Sequence, residues 1–123
     1  MIYLGTSFLI PALVRDTQQD QQVRNWISQG ETIAISAVAC TEFLCGPLSP
    51  RDLSAALRIV EQHLEFTTEH AAIAPRLFNA TDRRRRMMVD CMIAATAVAD
   101  GAQMATVNSG DFDRFTERGL RLA

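Results

Sequence analysis

The sequence predicts an α/β fold in which a mostly parallel sheet is covered by helices on both faces. Short apolar runs rich in β-branched residues alternate with longer segments of helical periodicity. The 123 residues are 48% hydrophobic and 21% charged, which is the balance of an ordinary globular protein. This length suits one domain, so we expect residues 1–123 to form a single domain.

The first quarter of the chain predicts two strands and two helices. Ile2–Leu4 is apolar enough for a buried strand, and Ser7–Val14 for a buried helix. Asp16 is a suitable N-cap for a polar helix that ends near Gln29, because Gly30 is a typical stop. Thr32–Ile35 is β-branched and follows turn residues, so it predicts the second strand.

The middle of the chain predicts two further helices. Ser36 can cap a helix over Ala37–Cys45. Ser49 with Pro50 at the next position is a helix-start signature, and the helix that follows has an apolar face. That predicted face consists of Leu53, Leu57, Val60 and Leu64.

The next segment predicts a weak strand and a helix. Glu65–Thr67 is the expected third strand, and Thr68 is the expected cap of a helix over Glu69–Thr81. Pro75 lies inside that helical pattern, so we expect it to kink or shorten the helix.

The last third predicts the most strongly buried helix. Val89–Ala99 is apolar nearly all round, and Gly101 is placed to end it. Met104–Val107 predicts a fourth strand, and the turn-rich segment Asn108–Phe115 follows. Leu120–Leu122 predicts a fifth strand at an edge of the sheet.

Composition excludes several classes of chemistry. All 12 basic side chains are arginine, so neither a Schiff-base lysine nor a lysine-bearing phosphate loop is present. The two histidines match no zinc-protease spacing, and Cys40, Cys45 and Cys91 form no Cys-x-x-Cys pair. We expect these thiols to be free and mainly buried, in a cytoplasmic protein without a membrane span. Carboxylates and arginines remain as the chemically active groups.

Three acids occupy positions that ordinary surface placement explains poorly. Glu42 interrupts an apolar helical segment, where a buried carboxylate needs a partner. Asp90 opens the buried helix, and Asp111 directly follows the fourth strand. Because ligands of parallel sheets bind beyond the carboxyl ends of the strands, we expect these acids to converge there. Such a site suits Mg²⁺ or Mn²⁺ and, through these ions, phosphodiester hydrolysis.

Four segments in order resemble the PIN domain, specifically the VapC-type ribonuclease toxins of bacterial toxin–antitoxin systems. They are Met1-Ile-Tyr-Leu-Gly-Thr-Ser-Phe-Leu-Ile, Thr41-Glu42, Asp90-Cys-Met-Ile-Ala-Ala-Thr-Ala and Thr106-Val-Asn-Ser-Gly-Asp-Phe. The resemblance covers nearly the whole chain.

This resemblance implies a three-layer α/β/α sandwich, four acids that hold Mg²⁺ or Mn²⁺, and cleavage of RNA. It also implies a cognate antitoxin and a homodimer. Glu42, Asp90 and Asp111 match three of the four acidic positions. Thr6 and Asn108 match polar positions that often line the pocket of the family.

Gly5 is the departure from the family pattern, because PIN domains place an aspartate at this position as a principal metal ligand. Three interpretations remain open: a change engineered to abolish toxicity, a natural degenerate member, or a site rescued by a neighbour such as Asp113. We expect an impaired Mg²⁺- or Mn²⁺-dependent endoribonuclease with weak or absent metal. The alternative is an inactive PIN-like module that only binds an antitoxin or RNA. A response-regulator receiver domain fits less well, because it needs a lysine.

Four consecutive cations, Arg83, Arg84, Arg85 and Arg86, precede Asp90. Such a run forms either a solvated loop or a set of contacts to RNA phosphates, for which arginine supplies paired donors. It could also dock an acidic segment of a partner. No aromatic residue lies within the run, so base stacking from it is not predicted.

Overall fold

A five-stranded parallel sheet occupies the centre of the structure, a computed structural model that describes residues 1–123. Its strands are β1 (Ile2–Leu4), β2 (Ile33–Ser36), β3 (Gln62–Leu64), β4 (Gln103–Ala105) and β5 (Arg121–Leu122). The strand order is β3-β2-β1-β4-β5, and every neighbouring pair is parallel. The strand order therefore reverses between β1 and β4. Parallel sheets form ligand-binding crevices at such topological switch points.

Seven α-helices flank the sheet and confirm the predicted α/β/α sandwich. They are α1 (Thr6–Ala12), α2 (Gln18–Ser28), α3 (Ala37–Leu44), α4 (Pro50–Ile59), α5 (Thr68–Ala80), α6 (Met88–Asp100) and α7 (Ser109–Phe112). Two 3₁₀ helices, Arg85–Met87 and Asp113–Arg118, complete the structure. No helix combines the length and apolar character needed to span a bilayer.

Burial explains why the central strands form despite being so short. All the residues of β1 and β2 are buried, and Ile2 and Ile33 are partners in the register. Helix α6 is buried on several sides, with Cys91 and Thr96 fully enclosed. Continuous apolar strands covered on both faces are typical of parallel sheets.

The third strand lies three residues earlier than the sequence predicts. It spans Gln62–Leu64 rather than Glu65–Thr67, because α4 ends at Ile59 and Val60 is already extended. Leu64 therefore belongs to the strand and not to the apolar face of α4. The side chains of Gln62 and His63 are exposed, so β3 lacks an apolar signature and is held by backbone pairing with β2.

Two helix caps differ from their predicted positions by one residue. Thr17, rather than Asp16, caps α2: its side chain accepts a hydrogen bond from the Asp20 backbone N–H at 3.1 Å. Thr67, rather than Thr68, caps α5, because His70 Nδ1 accepts from the Thr67 N–H at 3.0 Å and closes a capping box. The predicted caps at Ser36 and Ser49 are present.

Proline does not shorten α5, which runs through Pro75 to Ala80. Buried Ala74 and Leu77 hold this segment on the core on either side of the proline, so tertiary packing overrides the local preference. Gly101 ends α6 as predicted, in the left-handed conformation with φ of 63°.

The three thiols are free, but they are not uniformly buried. Cys91 is buried and Cys40 is intermediate, whereas Cys45 is exposed. The expectation of burial was wrong for Cys45 because it lies at the C-terminal cap of α3, beyond the helix face that packs on the core.

Candidate active site

A cavity of about 280 Å³ opens beyond the carboxyl ends of β1 and β4. Its polar lining combines residues that are far apart in the sequence. These are Gly5, Thr6, Ser7, Glu42, Asp90, Thr106 and Asn108. Ile10, Ile93 and Phe112 supply apolar wall. The cavity therefore lies where the topology of the sheet predicts a ligand site.

Helix α3 carries Glu42 to the rim of this cavity. The Ser36 side chain caps the helix by accepting from the Ala39 backbone N–H at 3.1 Å. Ala39 and Phe43 are the buried residues of α3, so its opposite side, including Glu42, remains exposed. Thr6 Oγ1 lies 3.1 Å from Glu42 Oε1 and 3.0 Å from the Ala39 carbonyl, so its one proton is shared between two acceptors. Glu42 is thus oriented without being buried.

Asp90 lies in the first turn of α6 and is half-buried in the cavity wall. Burial is the largest cause that raises its pKa, the negative charges of Glu42 and Asp111 act in the same direction, and together they bring the pKa to about 6. The positive charge of Arg114 opposes this rise. The raised pKa of Asp90 therefore reflects first its burial and then the charges of two other carboxylates.

Neither Asp111 nor Asp113 belongs to the lining of the cavity. Asp111 belongs to the single turn α7 and is exposed, but its charge reaches Asp90. Asp113 begins the following 3₁₀ helix and is also exposed. Glu42 and Asp90 therefore line the same cavity, and Asp111 influences it only through the effect of its charge on Asp90.

Gly5 occupies the end of β1 and the N-cap of α1. Its backbone N–H donates to the Ala105 carbonyl at 2.9 Å, and its φ of −73° is accessible to any residue. A Cβ added here would lie 3.2 Å from Met104 Cε and 3.3 Å from the Ala105 oxygen. A side chain at this position therefore requires β4 or Met104 to move by a few tenths of an ångström.

Two hydroxyl groups of the cavity were not singled out as ligands by the sequence. Ser7 Oγ and Thr106 Oγ1 lie 3.1 Å apart, and the Asn108 backbone N–H donates to Thr106 Oγ1 at 3.0 Å. They follow β1 and β4, so their positions after the two strands at the crevice were the available signal. Nothing in the sequence distinguishes Arg114, because it is one arginine in a charged segment.

The arginine run is exposed but not uniformly free. Arg83 Nη1 donates to Asn79 Oδ1 at 2.7 Å, and the Arg83 guanidinium lies 5.8 Å from the centre of the Phe78 ring. Arg85 begins the 3₁₀ turn, so part of the predicted loop is ordered as a helix.

The cavity matches a divalent cation in the type of its donors more than in their number. Carboxylate, hydroxyl and amide oxygens are what Mg²⁺ and Mn²⁺ prefer. However, no three His, Cys, Asp or Glu side chains are grouped closely enough to hold a metal ion. Glu42 and Asp90 are the two carboxylates of the lining that could serve as direct ligands.

The PIN domain family matches residues 2–117, so the chain belongs to this family. PIN domains are in general nucleases, which supports a nuclease-like activity here. No curated protein matches the chain by sequence.

Solved structures of similar fold are toxin–antitoxin complexes. VapBC2 from Rickettsia felis, bound to a promoter DNA fragment, has a TM-score of 0.77 and 22% identity over 100% of this chain and 98% of that chain. DNA-bound VapBC from Salmonella typhimurium has a TM-score of 0.77 and 21% identity over 99% and 96%. FitAcB from Neisseria gonorrhoeae has a TM-score of 0.72 and 21% identity over 99% and 96%. At these identities the likeness establishes the shared fold.

Proposed function

We propose that this protein, a single PIN-like domain over residues 1–123, is a VapC-type endoribonuclease toxin that depends on Mg²⁺ or Mn²⁺. We further propose that its activity is impaired because Gly5 replaces the first acidic ligand. PIN family membership and the neighbouring toxin–antitoxin folds support the class. One feature carries the proposal of impairment: Gly5 lines the same cavity as Glu42 and Asp90 but offers no side-chain ligand.

The chain's own residues have separate parts in this proposal. Glu42, held by Thr6, and the half-buried Asp90 supply negative charge to the cavity. Asp111 adds charge from its edge, and Ser7 and Asn108 offer hydrogen bonds to a bound phosphate. A bound divalent ion would supply an activated water and stabilise the leaving oxygen. With one carboxylate missing, we expect such an ion to be held loosely, which impairs a reaction that depends on placement.

The decisive experiment restores the missing carboxylate. We expect Gly5→Asp to increase both Mn²⁺ affinity and RNA cleavage by at least about tenfold, the effect of roughly 1.4 kcal/mol. Calorimetric titration with Mn²⁺ measures affinity, and single-turnover cleavage of a structured RNA measures activity. Because a Cβ at this position is tightly surrounded, Gly5→Ala serves as the steric control. Gly5→Asn is the uncharged isostere.

Equal activity of Gly5→Asp and Gly5→Asn would contradict the proposal that a carboxylate is missing. If Gly5→Asp changes nothing while Asp90→Asn abolishes cleavage by the natural sequence, a different ligand set operates. Asp113 would then be the first residue to test, by Asp113→Asn.

The competing function is an inactive binding module. It is supported by the observation that the acids do not form a compact group of three metal-ligating side chains. This alternative predicts that RNA or antitoxin binds while no variant at position 5 cleaves. If Gly5→Asp cleaves RNA in the presence of Mn²⁺, the other catalytic residues are still functional and the inactive-module alternative is excluded.

We propose a cognate antitoxin and a second copy of the chain as partners, in a cytoplasmic setting. Leu44 of α3 and Leu57 of α4 are exposed and line one largely apolar groove, and a contiguous exposed apolar surface is typical of a partner-binding site. Leu57 is 60% exposed, so Leu57→Asp should not unfold the chain. We expect this substitution to weaken an antitoxin complex or the homodimer. Sedimentation analysis with and without antitoxin measures both, and unchanged association would contradict this surface.

A further inference from the structure

Arg114 lies in the 3₁₀ helix Asp113–Arg118, outside the lining of the acidic cavity but close enough for its charge to act on Asp90. Its side chain is 27% exposed, so part of it reaches solvent. Its Nε is buried and has no hydrogen-bond partner. A buried guanidinium nitrogen without an acceptor is costly, so the group calls for an acceptor that a water, an ion or a ligand can supply.

The same guanidinium group faces an anion that it contacts only at long range. Arg114 Nη1 is 3.7 Å from Asp82 Oδ2, and Arg84 Nε is also 3.7 Å from that oxygen. Both distances exceed the range of a hydrogen bond to a carboxylate. Two arginines therefore converge on one oxygen of an exposed carboxylate, and neither completes a hydrogen bond with it.

We propose that Arg114 is a phosphate-positioning residue: with Arg84 it binds one backbone phosphate of an RNA strand beside the acidic cavity, displacing Asp82. This inference rests on the proposed ribonuclease function and adds a residue to it. A phosphate group offers several acceptor oxygens and can accept paired hydrogen bonds from a guanidinium, which Asp82 does not do here. The arginine run supplies the surrounding positive charge, and Arg114 connects that run to Asp90.

The position of Arg114 explains how a negatively charged RNA strand could approach an acidic cavity. Glu42, Asp90 and Asp111 repel phosphate, whereas Arg114 is the cation whose charge acts on Asp90. A phosphate bound by Arg114 and Arg84 would place the adjoining nucleotide next to the cavity. The contact is to the backbone, so it positions the strand and carries no sequence preference.

Binding of a fluorescent single-stranded RNA, in EDTA and over a series of salt concentrations, tests this role. Arg114→Gln is expected to weaken binding about tenfold and to reduce the slope of log affinity against log salt by about 0.7. Arg118→Gln, which removes an exposed charge from the same 3₁₀ helix, is the matched control and should change binding much less. Asp82→Asn should tighten binding by releasing both arginines.

Several outcomes would overturn the proposal. Equal effects of Arg114→Gln and Arg118→Gln would reduce Arg114 to one general charge among many. Binding of inorganic phosphate that depends on Arg114, without any effect on RNA, would assign the subsite to a small anion. If Arg114→Gln fails to fold, Arg114→Lys and Asp82→Asn still decide, because Lys keeps the charge and loses the paired donors. Absence of RNA binding by the native chain at all salt concentrations would instead refute the proposed function itself.

Discussion

The pKa of Asp90 differs between the folded and the unfolded chain. In the folded protein its carboxyl group is partly removed from water and lies near other negative charges. Its pKa rises from the ordinary value of 3.8 to about 6, chiefly through burial. The folded protein thus binds a proton more tightly than the unfolded chain does. Its unfavourable contribution to folding is complete above pH 6, shrinks as the pH falls, and vanishes below about 3.8.

We therefore expect Asp90→Asn to stabilise the metal-free protein at pH 7.5. The half-exposed position reduces the effect to about 1–2 kcal/mol after solvent screening. Urea unfolding in EDTA at pH 7.5 and pH 4 measures it, and the gain should shrink at the lower pH. Asp113→Asn removes a similar but exposed charge and is the control. A gain that grows at pH 4 would contradict the assigned direction.

The cysteines should differ in reactivity by burial. Cys45 is exposed and Cys40 intermediate, whereas burial, with Asp90 nearby, raises the pKa of the Cys91 thiol. We expect iodoacetamide to label Cys45 first and Cys91 last in the native protein, and all three in urea. Mass analysis of timed samples follows the order. A disulfide in freshly isolated protein, or equally fast labelling of Cys91, would contradict this prediction.

Helix α3 shows how a local cap determines the position of a site residue. The Ser36 hydroxyl closes the first turn at the end of β2, and Glu42 follows two turns later. Since only Ala39 and Phe43 of this helix are buried, its direction depends strongly on its start.

We predict that Ser36→Ala destabilises the fold by about 1–2 kcal/mol and also reduces Mn²⁺ binding by the Gly5→Asp variant. Ser49→Ala removes an equivalent cap from α4, which carries no residue of the cavity, and is the matched control. Thermal unfolding and calorimetry separate the two effects. Equal loss of metal binding in both variants would show that α3 has no special role.

Other local features depended on competition between neighbouring candidates. Thr67 and Thr68 are both suitable caps, and the choice falls on Thr67 because His70 completes its capping box. β3 lies earlier in the chain than predicted, because an edge strand needs backbone partners rather than apolar side chains. Such choices differ by small free energies that sequence patterns do not resolve.

Charge is unevenly distributed across the molecule, although the net charge is only −2. The run Arg83–Arg86 is exposed and precedes α6, close in sequence to Asp90. A local positive field can attract RNA even when the whole chain is acidic.

We expect the double substitution Arg85→Gln, Arg86→Gln to weaken binding about equally across RNA sequences. It should also lower the log–log salt slope by about 1.4, which is the value for two phosphate contacts on a single strand. Arg51→Gln, Arg58→Gln removes two arginines that line a different cavity and is the control. An unchanged slope would assign Arg83–Arg86 to a solvated surface.

The sequence by itself determined the fold class, most helices and the caps at Ser36 and Ser49, because these depend on periodicity and short-range hydrogen bonds. It also pointed to Glu42, Asp90 and Asp111 through their unusual placement. Only the tertiary structure decided that Glu42 is exposed and held by Thr6, and that Asp111 acts from outside the cavity lining. It alone revealed the convergence of Arg84 and Arg114 on Asp82. These relations join strands and helices distant in the chain, and their distances are set by packing, which leaves no periodic signal in the sequence.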